Sequence, residues 1–135
     1  MVGAVVATVI ELPRIIVRRT VSSSAAIPKG SLLQLSSSPN TVTVSSSDNQ
    51  KFAGIAVEEK VSSETDILTI GVAIDGVWEI STSSSSITAG VMVNLSGTNE
   101  IDAAVDGDFE VGSLVGRAES TKDSEERIRV RLLGF

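Results

Sequence analysis

The sequence predicts an all-β fold: a small compact barrel or sandwich built from two approximately repeated halves, with an extended N-terminal arm. Three observations predict it. Short β-branched and apolar runs recur about every eight to twelve residues with Ser, Gly, Asp and Asn between them, and no segment sustains a helical period. The chain after residue 26 reads as one β unit written twice, since residues 27–36 (IPKGSLLQLS) return as residues 87–96 (ITAGVMVNLS). Aromatic content is only 3% against 41% apolar, so the core has to be built from Val, Ile, Leu and Ala. At 135 residues such a core closes as one domain, but it is thin, and burial against a partner would strengthen it.

The elements follow in order. Residues 1–20 read as an N-terminal arm or a first strand, and residues 21–135 as a single β domain with pseudo-repeats over about 27–80 and 87–135. Val5, Val6, Thr8, Val9 and Ile10 favour strand. Pro13 cannot donate to a ladder, so it marks an edge or a break. Two readings of this segment stand open: an ordinary first strand pair, or an arm that pairs with a neighbouring subunit. Residues 22–24 turn the chain, residues 27–36 are a turn followed by a short apolar strand, residues 41–44 are a strand, and the polar stretches around 36–40 and 45–50 are loops. Residues 52–57 form a strand in which Gly54 signals a bulge or a close backbone approach. Residues 58–66 are charged and polar, and are expected to be exposed.

Residues 68–74 and 77–80 are predicted to form a type I′ hairpin across Asp75-Gly76, a pair suited to two positive φ angles. Trp78 follows that turn, either as a core ring or as an exposed aromatic that packs on a partner. A serine loop at 81–86 separates the halves. The second half then offers the second turn-and-strand module over 87–96, and strands over 101–105, 111–119 and 127–133. Gly116-Arg117-Ala118-Glu119 echoes Gly54-Ile55-Ala56-Val57-Glu58, and Ile128-Arg129-Val130 echoes Leu68-Thr69-Ile70. The last strand alternates between apolar residues and Arg127, Arg129 and Arg131, giving it a buried face and a basic face. Those arginines pair either with the domain's own carboxylates or with an acidic patch on a neighbouring subunit.

Composition removes most chemistry. The chain has no Cys and no His, which excludes disulfides, thiolate nucleophiles, the usual zinc ligands and Ser-His-Asp catalysis. No phosphate loop or dinucleotide turn is present, so no cofactor is expected. Asp102, Asp106, Asp108 and Glu110 are spaced unlike a calcium loop and read as a turn. The net charge of −6 argues against nucleic acid as a partner, and no stretch is long enough to span a bilayer. Residues 1–10 are apolar but lack a basic leader and are interrupted by Glu11 and Pro13, so they are not expected to be a secretion signal. Charge is uneven: residues 1–47 carry Arg14, Arg18, Arg19 and Lys29 against Glu11 alone, and the acidic excess lies entirely in the rest.

Three segments carry a resemblance. They are the Ile-x-x-Gly strand starts; Phe52 to Lys60 (FAGIAVEEK) followed by residues 76–80 (GVWEI); and residues 115–119 (VGRAE) running to residues 128–132 (IRVRL). Over roughly residues 20–135 the chain resembles the small head-decoration, or capsid cement, proteins of tailed bacterial or archaeal viruses. The resemblance implies a compact, tulip-like β domain without catalysis that binds the outside of an icosahedral capsid and stabilises it. It further implies a homotrimer on the outer surface of the virion, made in the host cytoplasm, with the major capsid protein as partner and a terminal arm clasping the shell. Carried onto this chain, the arm's interface residues are Ile10, Leu12, Arg14, Ile15, Ile16, Arg18 and Arg19, with Trp78, Arg127, Arg129 and Arg131 as further subunit contacts. The competing classes are a carbohydrate- or receptor-binding β module of a fibre or pilus, which would want exposed Trp or Tyr, and a small β-barrel hydrolase, disfavoured by the missing His and Cys.

Overall fold

The structure, a computed structural model, describes residues 6–47, 50–82, 87–105, 112–121 and 126–133. Their regular structure is all strand: β1 (Thr8–Glu11), β2 (Ile16–Thr20), β3 (Leu32–Leu35), β4 (Val42–Val44), β5 (Phe52–Ala56), β6 (Thr69–Ala73), β7 (Val77–Thr82), β8 (Met92–Gly97), β9 (Glu100–Ala103), β10 (Leu114–Ala118) and β11 (Arg127–Leu132). No helix occurs among the described residues.

Two sheets hold these strands. Strands β7-β11-β10-β8-β9 close into a five-stranded barrel, because β9 returns to β7 in a parallel pairing that sets Ser81 opposite Glu100 and Thr82 opposite Ile101. β1 covers the part of that β7 edge which β9 leaves free, with Thr8 opposite Glu79, Val9 opposite Trp78 and Glu11 opposite Val77. The second sheet runs β2-β6-β5-β3-β4. Its outer strands meet at one parallel bridge, Thr20 to Thr41, where the Thr20 N–H donates to the Asn40 carbonyl at 2.8 Å. The barrel order is the second sheet's order with five added to each strand number.

Hydrogen bonds correspond in the same way. The Gly30 N–H donates to the Ala56 carbonyl as the Gly90 N–H does to that of Ala118, and the Ala56 N–H donates to Ser31 as Ala118 does to Val91. Val57 donates to the Gly71 carbonyl as Glu119 does to that of Arg129. This sets Gly71 against Arg129, two residues away from the echo visible in the sequence. A shift of two preserves which face each side chain takes, so the apolar pattern fits both registers and cannot choose between them.

Packing follows the alternation. Ile128, Val130 and Leu132 of β11 point into the barrel and pack with Ile80, Val93, Leu95, Ile101 and Trp78. A smaller cluster of Val21, Ile27, Leu33, Val42, Ala56, Ile70 and Val72 fills the second sheet. Gly54 sits beside a register shift between β3 and β5, and a Cβ there would meet the Ala73 carbonyl at 2.5 Å; a Cβ at Gly116 would run into the Arg131 carbonyl. Both glycines therefore mark close backbone approaches.

Two expectations are corrected. β6 and β7 do not form a hairpin: β6 pairs with β2 and β5, while β7 pairs with β1, β11 and β9. Only Gly76 of the Asp75-Gly76 pair takes a positive φ, 94°. The turn is a corner between sheets because its groups are engaged elsewhere. The Asp75 carboxylate accepts from the backbone N–H groups of Arg14 (2.9 Å) and Ile15 (3.0 Å), and the Trp78 indole donates to the Asp75 carbonyl (3.0 Å). A Cβ on Gly76 would lie 2.8 Å from the Glu11 carbonyl, so residues 12–15 and the corner cross between the sheets side by side. Likewise, the charged stretch 58–66 is not uniformly exposed. Lys60 is 1% accessible, and its Nζ donates to the carbonyls of Ser23 (2.8 Å) and Ala25 (2.9 Å).

Candidate interaction surface

The N-terminal segment is held in cis, with β1 on the barrel and β2 on the second sheet. A free arm over residues 8–20 is thereby replaced by two edge strands joined at Pro13, where the missing N–H costs no ladder bond. The edges leave a ridge of large apolar side chains in water: Val9, Ile10, Leu12, Ile15 and Ile16, with Leu12 81% accessible. Five large apolar side chains exposed within eight residues, three of them (Val9, Leu12 and Ile16) lining one groove, make this segment a candidate contact surface.

Beside the ridge lies a groove of about 550 Å³, walled by Leu12, Pro13, Ile16, Val57 and Trp78 with Lys29 in its lining. Trp78 is 5% accessible, so it forms the floor of this groove and is not an exposed platform; the reading of it as an exposed contact is corrected. The ridge is cationic at its margins. Arg18 pairs with Glu58 at 2.8 Å and donates to the Thr69 hydroxyl at 3.0 Å, and Arg19 donates to the Asn40 side-chain oxygen. The side chains of Arg14 and Lys29 have no hydrogen bond or ion pair among the described residues.

The basic face of β11 divides. Arg127 is largely buried and spent within the chain. Its guanidinium bonds Glu79 Oε1 (3.1 Å), the Ser81 hydroxyl (3.1 Å) and the carbonyls of Glu79 (2.8 Å) and Val6 (3.2 Å). It thus ties the start of β1 to β7. Arg131 bridges Glu119 (3.1 Å) and Glu11 (3.2 Å), and those two side-chain hydrogen bonds, Glu119's first, hold its guanidinium above the ordinary arginine range. Arg129 is exposed and makes no ion pair among the described residues. The structure therefore places Ile10, Leu12, Arg14, Ile15, Ile16, Arg18 and Arg19 along β1, the crossing and β2, and among the described residues Arg129 is the β11 arginine without an ion pair.

No family model matches the chain, and no curated protein matches its sequence.

Among the described residues no group of three or more carboxylates converges as a metal site, and no helix is long and apolar enough to cross a membrane. Asp102 is exposed and accepts from the Ala103 N–H; Asp106, Asp108 and Glu110 lie outside the described residues. Sequence reasoning missed two positioning groups. Asp75 signals a turn by its local sequence, and its side chain also anchors the crossing. Asn99, at φ 58°, accepts from the Leu32 N–H (2.9 Å) and donates its own N–H to the Ser45 hydroxyl (3.0 Å), tying the barrel to the second sheet. The Asx residue at a turn was the available signal for both.

Proposed function

We propose that this chain is a virion structural protein, a decoration protein that binds the outside of an icosahedral shell and stabilises it without catalysis. The partner is the major capsid protein, and the working unit is a homotrimer on the virion surface. The two sheets of equal strand order are, in this reading, two copies of one module. The observation that carries the reading is the exposed apolar ridge over residues 9–16, with Arg14 within it and Lys29 in the adjoining groove, carried on strands paired to both sheets. The residue patterns shared with capsid cement proteins supply its identity. Such a ridge gives a binder its buried anchors, and the flanking cations orient it on an acidic surface.

The test is co-sedimentation with purified virus shells. Deleting residues 1–19 would remove β1 and most of β2, so point variants serve better. Leu12→Asp replaces an exposed side chain and leaves both ladders intact. It is expected to weaken shell binding by about tenfold or more at unchanged thermal midpoint. Wild-type-like binding by this variant would remove the ridge from the interface.

A further inference from the structure

The two sheets differ at one edge. In β7 the groups of Val77 and Glu79 that turn away from β11 face β1, and Ser81 meets Glu100 of β9. In β2 the corresponding residues are Ile16, Arg18 and Thr20, because Arg18 stands opposite Gly71 as Glu79 stands opposite Arg129. Thr20 meets Thr41 as Ser81 meets Glu100. Among the described residues, no strand lies where β1 would be.

The direction of the free groups follows from the bonds at each end of β2. Val21 donates to the Leu68 carbonyl (2.9 Å) and Ile15 accepts from the Ile74 N–H (3.3 Å), so odd residues face β6; Thr20 donates away from it, to Asn40. Antiparallel alternation then sends the N–H and C=O of Ile16 and Arg18 outward. Among the described residues these four groups meet no backbone partner. They border the exposed side chains of Ile15 and Ile16 and the groove containing Lys29.

We propose that the outer edge of β2 at residues 16–18 is an acceptor slot for an added antiparallel strand, the counterpart of β1 on β7, and that its occupant is an extended segment of apolar and acidic residues. Charge selects that occupant. A second copy's β2 laid antiparallel would bring Arg18 and Arg19 against Arg18 and Arg19, and directly opposed like charges destabilise a strand pair. An acidic segment instead meets Arg14 and Lys29, which have no partner of their own among the described residues. Backbone bonds give such an addition its affinity and the alternating side chains its specificity. That the segment belongs to the major capsid protein rests on the function proposed above.

Residue-resolved hydrogen exchange of the full chain, alone and on purified shells, tests the slot. The amides of Ile16 and Arg18 are expected to slow by about tenfold or more on the shell, while Val17 and Arg19, already bonded to β6, change little. Bound shells with unslowed Ile16 and Arg18 amides overturn the slot and leave the decoration role standing. Failure to bind shells overturns both. Slowing of the same amides on raising the concentration of the protein alone makes a second copy the occupant and overturns the acidic-segment assignment. A variant pair gives a second measurement. Arg18→Pro removes an outward N–H without touching the β6 ladder, and is expected to bind shells about tenfold more weakly than Arg18→Ala, which removes only the side chain. Equal binding by the two variants counts against strand addition.

Discussion

The barrel and the second sheet share a strand order but not a degree of completion. The barrel is sealed along β7 by β9 and β1, and its side chains, Trp78 among them, make up most of the larger core cluster, which also takes in Leu32, Ile55 and Ala73 of the second sheet. The second sheet is pinned at its seam by Thr20 and Thr41, and its core is smaller and wholly aliphatic. Residues 6–11 account for much of the difference. They lie on β7 and also on Gly30, whose carbonyl accepts from the Ala7 N–H at 2.8 Å. The matching places, the β2 edge and Gly90, are uncovered among the described residues. One strand order thus occurs twice, with its edge covered in the barrel and, among the described residues, open in the second sheet.

The comparison is tested most severely at Trp78 and Val17, which occupy equivalent places opposite Val130 and Val72. Trp78→Ala removes the large ring of the sealed half and should cost about 3–5 kcal/mol. Val17→Ala, in a half-buried position on the open half, should cost about 1 kcal/mol. Chemical denaturation measures both, and equal losses would break the distinction between the halves.

Next come the paired turn glycines. Gly30 and Gly90 have φ angles of 90° and 96°, so alanine at either pays about 1 kcal/mol of backbone strain. Only at Gly30 does a Cβ also meet a neighbour, the Ala7 carbonyl at 2.5 Å, where one at Gly90 finds nothing within 4 Å. Gly30→Ala should therefore exceed Gly90→Ala by about 1–3 kcal/mol in the same unfolding experiment. A Gly90→Ala variant as damaged as Gly30→Ala would mean that the second turn is covered too.

The smallest effect is expected at Arg131, whose pairs with Glu11 and Glu119 are exposed and weakened by salt. Its raised value means that loss of the guanidinium's charge does not weaken the contribution through neutral and moderately alkaline pH, and does so only as pH climbs beyond the ordinary arginine range. The difference between wild type and Arg131→Ala should stay flat between neutral and moderately alkaline pH and shrink in high salt.

The sequence made the strands legible because their cores alternate and their breaks carry Ser, Gly and Asn. The buried face of β11 could be read from Arg127 to Leu132 residue by residue. Pairing partners were less legible. Asp75-Gly76 fits a hairpin locally, and the competing bonds that bend it into a corner come from Arg14 and Ile15, 61 and 60 residues away. Lys60 stood among acidic neighbours, and no local pattern says that its ammonium turns inward to carbonyls. The ridge was legible as apolar residues in the wrong company, with prolines and arginines; that both of its strands are docked in cis depends on β6 and β7.

The crossing at Asp75 also has a consequence in time. Residues 8–16 are made some sixty residues before their partners, β6, the corner and β7. Loops of that length close slowly, and sheets that depend on them fold late. Until then this exposed apolar stretch has no ladder at all. The nascent chain spends that interval with Val9, Ile10, Leu12, Ile15 and Ile16 unprotected, so its yield in the cell should depend on holdase chaperones and growth temperature more steeply than its final stability would suggest.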